Sequence, residues 1–210
     1  MGINSPFEVW GFPCNVDVAA GWLWAAFWVL WLVWGWISTR RRPVGKGRMT
    51  KGLWLVGRSS WILAAAAIIF MQRFGRRLPH QFLASALWPG HPGAAAVGFL
   101  LELLGIGLAV WARYHLGTFW SSVAVLRQGH RVVDSGPYRL VRHPIYSGLL
   151  LGMLGTFLMA GSTFWLLALV LGILGIAGKI YAEERLLKSE LGEEYVRYMA
   201  RTHRLIPWLL

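Results

Sequence analysis

Apolar residues in this chain gather in long runs separated by short basic stretches, rather than alternating with polar ones. A helix needs about 20 apolar residues to cross the hydrocarbon core, because each adds about 1.5 Å and unpaired backbone groups cannot be left in lipid. Three runs reach or approach that length: Val18–Ile37, Leu53–Met71 and Ala94–Trp111. A shorter one, Tyr146–Ala160, is broken by Gly161-Ser162 and followed by a fifth from Thr163 to about Lys179. The last two predict a tight helical hairpin. Gly148, Gly152 and Gly155 share one helical face, and Gly172, Gly175 and Gly178 another, which gives the hairpin a packing logic of close backbone approach. Trp24, Trp28 and Trp31, at helical spacing in the first span, read as packing positions. Beyond the fifth span, Glu183–Met199 predicts a helix leaving the membrane, with Leu187, Leu191, Tyr195 and Tyr198 along one stripe. Pro207 stops any helix before an ending that suits an interfacial anchor.

The expected fold is therefore an all-α integral membrane protein. It has about five transmembrane helices, the last two a tight helical hairpin, followed by a cytoplasmic C-terminal helix. Three spans fall in residues 1–112, and residues 113–210 carry the rest.

Composition agrees. Of 210 residues 56% are hydrophobic and 14 are Trp, which is too apolar for an ordinary soluble domain. The net charge of +12 is explained by basic cytoplasmic loops meeting anionic headgroups. No groove-reading or stacking motif accompanies it, so no nucleic acid partner is expected. Cys14 is the only cysteine, which excludes an internal disulfide and a cysteine-based metal site. His115, His130, His143 and His203 are not at metal-ligand spacing, and no metal is expected. Met1–Val18 lacks the basic opening of a secretory signal and is interrupted by Pro6, Glu8 and Pro13, so no cleavage is expected.

Arg40, Arg41, Arg42, Lys46, Arg48 and Lys51 put the first loop in the cytoplasm and the N-terminus outside. Five crossings then return Arg113–Arg142 and the C-terminal segment to the cytoplasm. Arg73, Arg76 and Arg77 fall in the loop assigned to the outside, against this trend.

Polar residues crowd into one stretch flanked by membrane helices, Gly129 to Tyr146. Gly136-Pro137 signals a turn, and Pro144 fixes the backbone at the first turn of the fourth helix. Backbone amides at such a helix start suit an anionic group, with Arg139, Arg142 and His143 as added donors. For charge alone, a solvated positive-inside loop is the favoured explanation of the stretch. Glu183-Glu184 sit one turn past Lys179, where the hairpin brings them back toward His143 and Tyr146. A salt-bridged helix exit is the plain alternative. Glu102 stands mid-span on one face with Gly98, Gly105 and Ala109, where a buried acid is neutral or partnered; a structural hydrogen bond is the favoured reading.

Four motifs then stand in order: Gly136-Pro137-Tyr138, Arg142-His143-Pro144-Ile145-Tyr146-Ser147-Gly148, Glu183-Glu184, and Gly192-Glu193-Glu194-Tyr195. Together, over roughly Leu126 to Pro207, they resemble the isoprenylcysteine carboxyl methyltransferases and related membrane phospholipid methyltransferases. The resemblance implies S-adenosylmethionine bound on the cytosolic side, S-adenosylhomocysteine as product, and a lateral opening toward membrane lipids for a hydrophobic or lipidic methyl acceptor. The implied cofactor contacts are His130, Arg131, Val132, Val133, Tyr138, His143, Pro144, Ile145, Tyr146 and Glu183. Lys179 stands where the eukaryotic carboxyl methyltransferases carry an arginine thought to meet substrate, so it is the implied substrate contact, and the changed side chain leaves the acceptor open. A carboxylate acceptor would be steered by Lys179, whereas an amine acceptor would need a base, for which Glu184 is nearest. Carboxylate, amine, thiol and phenol acceptors all stay open, as does the oligomeric state. Two rivals remain: a membrane reductase of related architecture using NADPH, and a non-enzymatic membrane carrier, for which polar residues across several midplane positions would be expected.

Overall fold

The computed structural model describes residues 14–41, 87–88, 91–120 and 132–207. The predicted second span Leu53–Met71, the basic residues Arg42, Lys46, Arg48, Lys51, Arg73, Arg76 and Arg77, and the end 208–210 lie outside the described residues. Helix α1 spans Cys14–Arg41, α2 Pro92–Leu116, α3 Pro144–Ala160, α4 Thr163–Leu191 and α5 Glu193–Ala200. Proline opens α2 and α3 at a position whose N–H would have no partner within the helix. Gly161, left-handed at φ +56°, closes α3 by donating its N–H to the Phe157 carbonyl and turns the chain straight into α4. The predicted hairpin is thus present. Three helical stretches, Ala19–Ile37, Pro92–Leu116 and Thr163–Leu191, are long and apolar enough to cross a membrane, and α3 is a shorter apolar helix.

Two expectations need correction. The helix that carries Glu183 is not a separate element: α4 continues without a break from the hairpin through Lys179 to Leu191. The onset of charge marks where the apolar surface ends, but intrahelical hydrogen bonds hold equally well in water. The break comes instead at Gly192, whose φ of +54° no helix accommodates, and α5 restarts one residue later. The stripe Leu187, Leu191, Tyr195 and Tyr198 is accordingly divided between two helices.

The second correction concerns the glycines. Those of α3 do not face α4: Gly148 and Gly155 face α2, and Gly152 faces the Trp24 ring of α1. A Cβ on Gly148 would lie 2.5 Å from the Gly105 carbonyl oxygen, and one on Gly98 would lie 2.6 Å from that of Gly155. Backbones in such contact leave no room for any side chain, and the gain is dispersion between main chains. On α4, Gly175 and Gly178 meet nothing within 4 Å among the described residues.

At the same seam Glu102 is fully buried. Thr156 Oγ1 lies 2.8 Å from its Oε2, and Trp24 Nε1 donates to Thr156 at 3.0 Å, so one polar chain ties α1, α2 and α3. Toward the end of α2 the hydrophobic cluster of Phe27, Trp31, Ala109, Ala112, Tyr138 and Ile145 joins α1, α2 and the loop before α3. Arg113, also fully buried, lies over the rings of Trp120, Trp34 and Trp31 at 3.9, 5.2 and 5.5 Å and donates to the Gly117 carbonyl. Aromatic faces and a carbonyl there replace the water its charge has lost.

Candidate functional site

The start of α3 and the lower turns of α4 meet because the hairpin folds back at Gly161. His143, the residue before α3, and Tyr146, in its first turn, face Glu183 on α4. Tyr146 donates its hydroxyl to Glu183 Oε1 at 2.6 Å, and His143 Nδ1 lies 3.8 Å from Oε2. The two rings lie 5.7 Å apart and near parallel. Lys179, one turn earlier on α4, sets its ammonium 5.5 Å from the centre of the Tyr146 ring. The expected approach of Glu183 to His143 and Tyr146 is what the coordinates show.

Glu184 points elsewhere. Its Oε1 accepts from Arg142 Nε at 2.9 Å and its Oε2 from Arg204 Nη2 at 3.1 Å. His143 Nε2 is 3.4 Å from Oε1, close enough for attraction, but its alignment leaves that buried nitrogen without a hydrogen bond. A carboxylate held by two guanidinium groups binds protons poorly, so the geometry does not suit the basic role that Glu184 was expected to offer an amine acceptor. Arg142, expected as a donor around an anion, is likewise occupied: besides Glu184 it donates to the carbonyls of Met199 and Thr202.

The remaining expected contacts divide. Val132 and Val133 line an open groove of about 470 Å³ with His115, Leu116, Gly117, Phe119, Asp134 and Ser135, at the end of α2. His115 Nδ1 is 3.2 Å from Ser135 Oγ. Its ring fills the space a Cβ on Gly136 would need, and Gly136 has φ +56°, so only glycine serves in this turn. Tyr138, Pro144 and Ile145 are buried, Tyr138 and Ile145 within the cluster with Phe27, Trp31, Ala109 and Ala112. His130 and Arg131 lie outside the described residues. Arg139 is exposed.

Sequence reasoning missed the C-terminal segment. Residues after α5 lie beside the loop that leads into α3: Val141 and His203 form an isolated parallel bridge. Arg142 N–H donates to the His203 carbonyl at 2.7 Å and His143 N–H to that of Arg204 at 3.1 Å. Ser147 Oγ donates to the Leu205 carbonyl, Tyr198 to the Tyr138 carbonyl, and Arg201 pairs with Asp134 at 2.7 Å. Burial holds the Tyr138 and Tyr198 hydroxyls well above the usual phenol range, so both stay neutral. The only advance signal was the density of polar residues in 197–204.

This donor and acceptor set leaves hydrogen-bonding capacity for a small polar ligand. Glu183 Oε2 keeps lone pairs for hydroxyl or ammonium hydrogens, and His143 Nε2 is a buried polar atom in want of a partner.

Residues 94–194 match the family model for phospholipid methyltransferase. A rice protein, Oryza sativa subsp. indica, named "Probable protein-S-isoprenylcysteine O-methyltransferase", is 35% identical over 116 residues, which is 54% of this chain and 61% of that protein. The cobalt-zinc-cadmium resistance protein CzcN of Cupriavidus metallidurans is 35% identical over 111 residues, 52% of this chain and 49% of the other. Among solved structures, a eukaryotic intramembrane Ras methyltransferase, an isoprenylcysteine carboxyl methyltransferase, superposes with a TM-score of 0.53 at 22% identity, covering 72% of this chain and 53% of that one. At that identity the likeness is one of fold. The chain thus spans about half to three fifths of the length of these relatives. Apolar helices and a shared fold define an integral membrane protein. The match to the phospholipid methyltransferase model, residues 94–194, takes in slightly under half of the chain.

Proposed function

We propose that the chain is an S-adenosylmethionine-dependent methyltransferase acting on a hydrophobic or lipidic small molecule. The observation that carries this is the meeting of His143, Tyr146 and Glu183 across the hairpin ends, beside Lys179. His143, Tyr146 and Glu183 would hold the cofactor, with the Val132-Val133 backbone on its other side and Tyr138, Pro144 and Ile145 as the wall; His130 and Arg131 stay contacts implied by the family motif alone. When bound, the cofactor supplies a methyl group already activated on a sulfonium. The chain's part is then positioning, and no acid or base of matched strength is demanded of it. Tyr146, by donating to Glu183, fixes the carboxylate so that Oε2 stays open. Lys179 offers a cation beside the site, which suits an acceptor carboxylate such as the isoprenylcysteine named for the rice relative. Glu184, the base expected for an amine acceptor, is engaged by two arginines, which favours an acceptor that is already anionic.

In this reading the protein has about five crossings, with residues 1–112 forming three spans and 113–210 the catalytic region. The site and C-terminal helix face the cytoplasm, and the N-terminus lies outside.

The test is a titration of the purified protein with S-adenosylhomocysteine and, separately, NADPH, followed by calorimetry and by melting temperature in detergent. Stabilisation by S-adenosylhomocysteine is expected, and Glu183→Ala should abolish it while leaving the helical content intact. A response to NADPH alone would overturn the reading in favour of a reductase. Labelled cofactor incubated with a total lipid extract and an isoprenylcysteine then identifies the acceptor by the species that gains the label.

A further inference from the structure

We propose that Arg142, Glu184 and Arg204 are positioning residues that make the C-terminal segment Thr202–Leu205 part of the cofactor site. The proposal rests on the methyltransferase reading and deepens it, since it assigns a role to groups that touch no cofactor. His143 is held by its backbone: its N–H reaches the Arg204 carbonyl, and the preceding N–H reaches that of His203. That segment is itself held by side chains, Arg142 on the carbonyls of Met199 and Thr202, and Ser147 on that of Leu205. Glu184 completes the loop of contacts, because it sits beside Glu183 on α4 and binds Arg142 from the α3 side and Arg204 from the C-terminal side. Pulling on any one of the three moves His143 relative to Glu183.

Burial separates the members in a useful way. The side chains of Arg142 and Glu184 are 8% and 7% exposed, whereas that of Arg204 is 51% exposed. Removing Arg204 therefore leaves a half-solvated gap and a Glu184 still paired with Arg142, so folding survives while one tie on the segment is lost. A supporting partner of this kind, when removed, typically weakens a site by about tenfold.

The experiment measures S-adenosylhomocysteine affinity by calorimetry on the full chain in detergent, with ligand-free melting temperature alongside. Absence of binding by the unaltered protein overturns the methyltransferase reading and this proposal with it. Given binding, Arg204→Ala should weaken affinity about tenfold with an unchanged ligand-free melting temperature, and Arg204→Lys should restore most of it. In a Glu184→Gln background the Arg204→Ala change should add nothing further, the signature of a shared contact. Unchanged affinity in Arg204→Ala, additive losses in the double variant, or a loss matched by a fall in ligand-free melting temperature overturns the positioning role and leaves the methyltransferase reading standing. If Glu184→Gln fails to fold, the Arg204→Ala and Arg204→Lys pair decides by itself.

Discussion

The seam between α2 and α3 and the cluster at the foot of the hairpin solve opposite problems. In the seam, cohesion comes from what is missing: glycines let two backbones touch, and the polar chain Trp24, Thr156 and Glu102 is short, buried and built mostly of neutral groups. At the foot, cohesion comes from what is added: two arginines, two glutamates and a histidine, each beside at least one other of opposite charge or polarity, with Arg142 also donating to the carbonyls of Met199 and Thr202. The difference follows from the surroundings. Charge is costly where water is absent, so a membrane seam relies on shape; near the headgroups water and lipid phosphates lower that cost, and charge becomes usable for fixing geometry.

The contrast can be broken from either side. The largest effect is expected from Arg142→Met, which strands the buried Glu184 carboxylate beside Arg204 alone and frees the carbonyls of Met199 and Thr202. A loss of about 3–5 kcal/mol is expected, read as the shift in denaturant-induced unfolding in micelles. Next comes the seam: Gly155→Val places a branched side chain where a Cβ would already lie 2.5 Å from the Glu102 amide nitrogen. Overpacking of this kind costs about 1–3 kcal/mol by the same measurement, and a larger loss than for Arg142→Met would reverse the ranking of the two regions. Thr156→Val should be smallest, about 1 kcal/mol, because interhelical hydrogen bonds in membranes are individually weak. A Thr156→Val loss equal to that of Gly155→Val would mean that the polar chain, and not backbone contact, holds the seam.

Much of the site was legible in the sequence, because its parts are local motifs whose spacing survives without knowledge of the fold. Gly161-Ser162 announced the hairpin, and the hairpin alone brings Tyr146 to Glu183. What could not be read was pairing at a distance. Glycine periodicity says which face of α3 is thin but not which helix comes to it, and α2 took the place expected for α4. The end of α4 was misplaced because hydropathy reports the membrane and not the helix; Gly192, the real terminator, lay in a motif quoted for another reason. The attachment of Thr202–Leu205 left no trace beyond the density of polar residues in 197–204, since an isolated bridge has no periodicity, and Arg142 shows no sign in sequence that its charge is directed to Glu184 and the carbonyls behind it.

The two arms of the hairpin are unequal. With 17 residues, α3 measures about 25 Å, a little under the apolar thickness of a bilayer, whereas the 29 residues of α4 reach about 43 Å. In the reading proposed above, the first turn of the shorter arm stops where acyl chains give way to headgroups, and the longer arm carries on past it into the aqueous layer. A molecule with a greasy tail could therefore stay dissolved among the lipids up to its last few atoms and present only its polar tip at Lys179 and Tyr146, while a water-soluble partner approached from the other side without ever crossing oil.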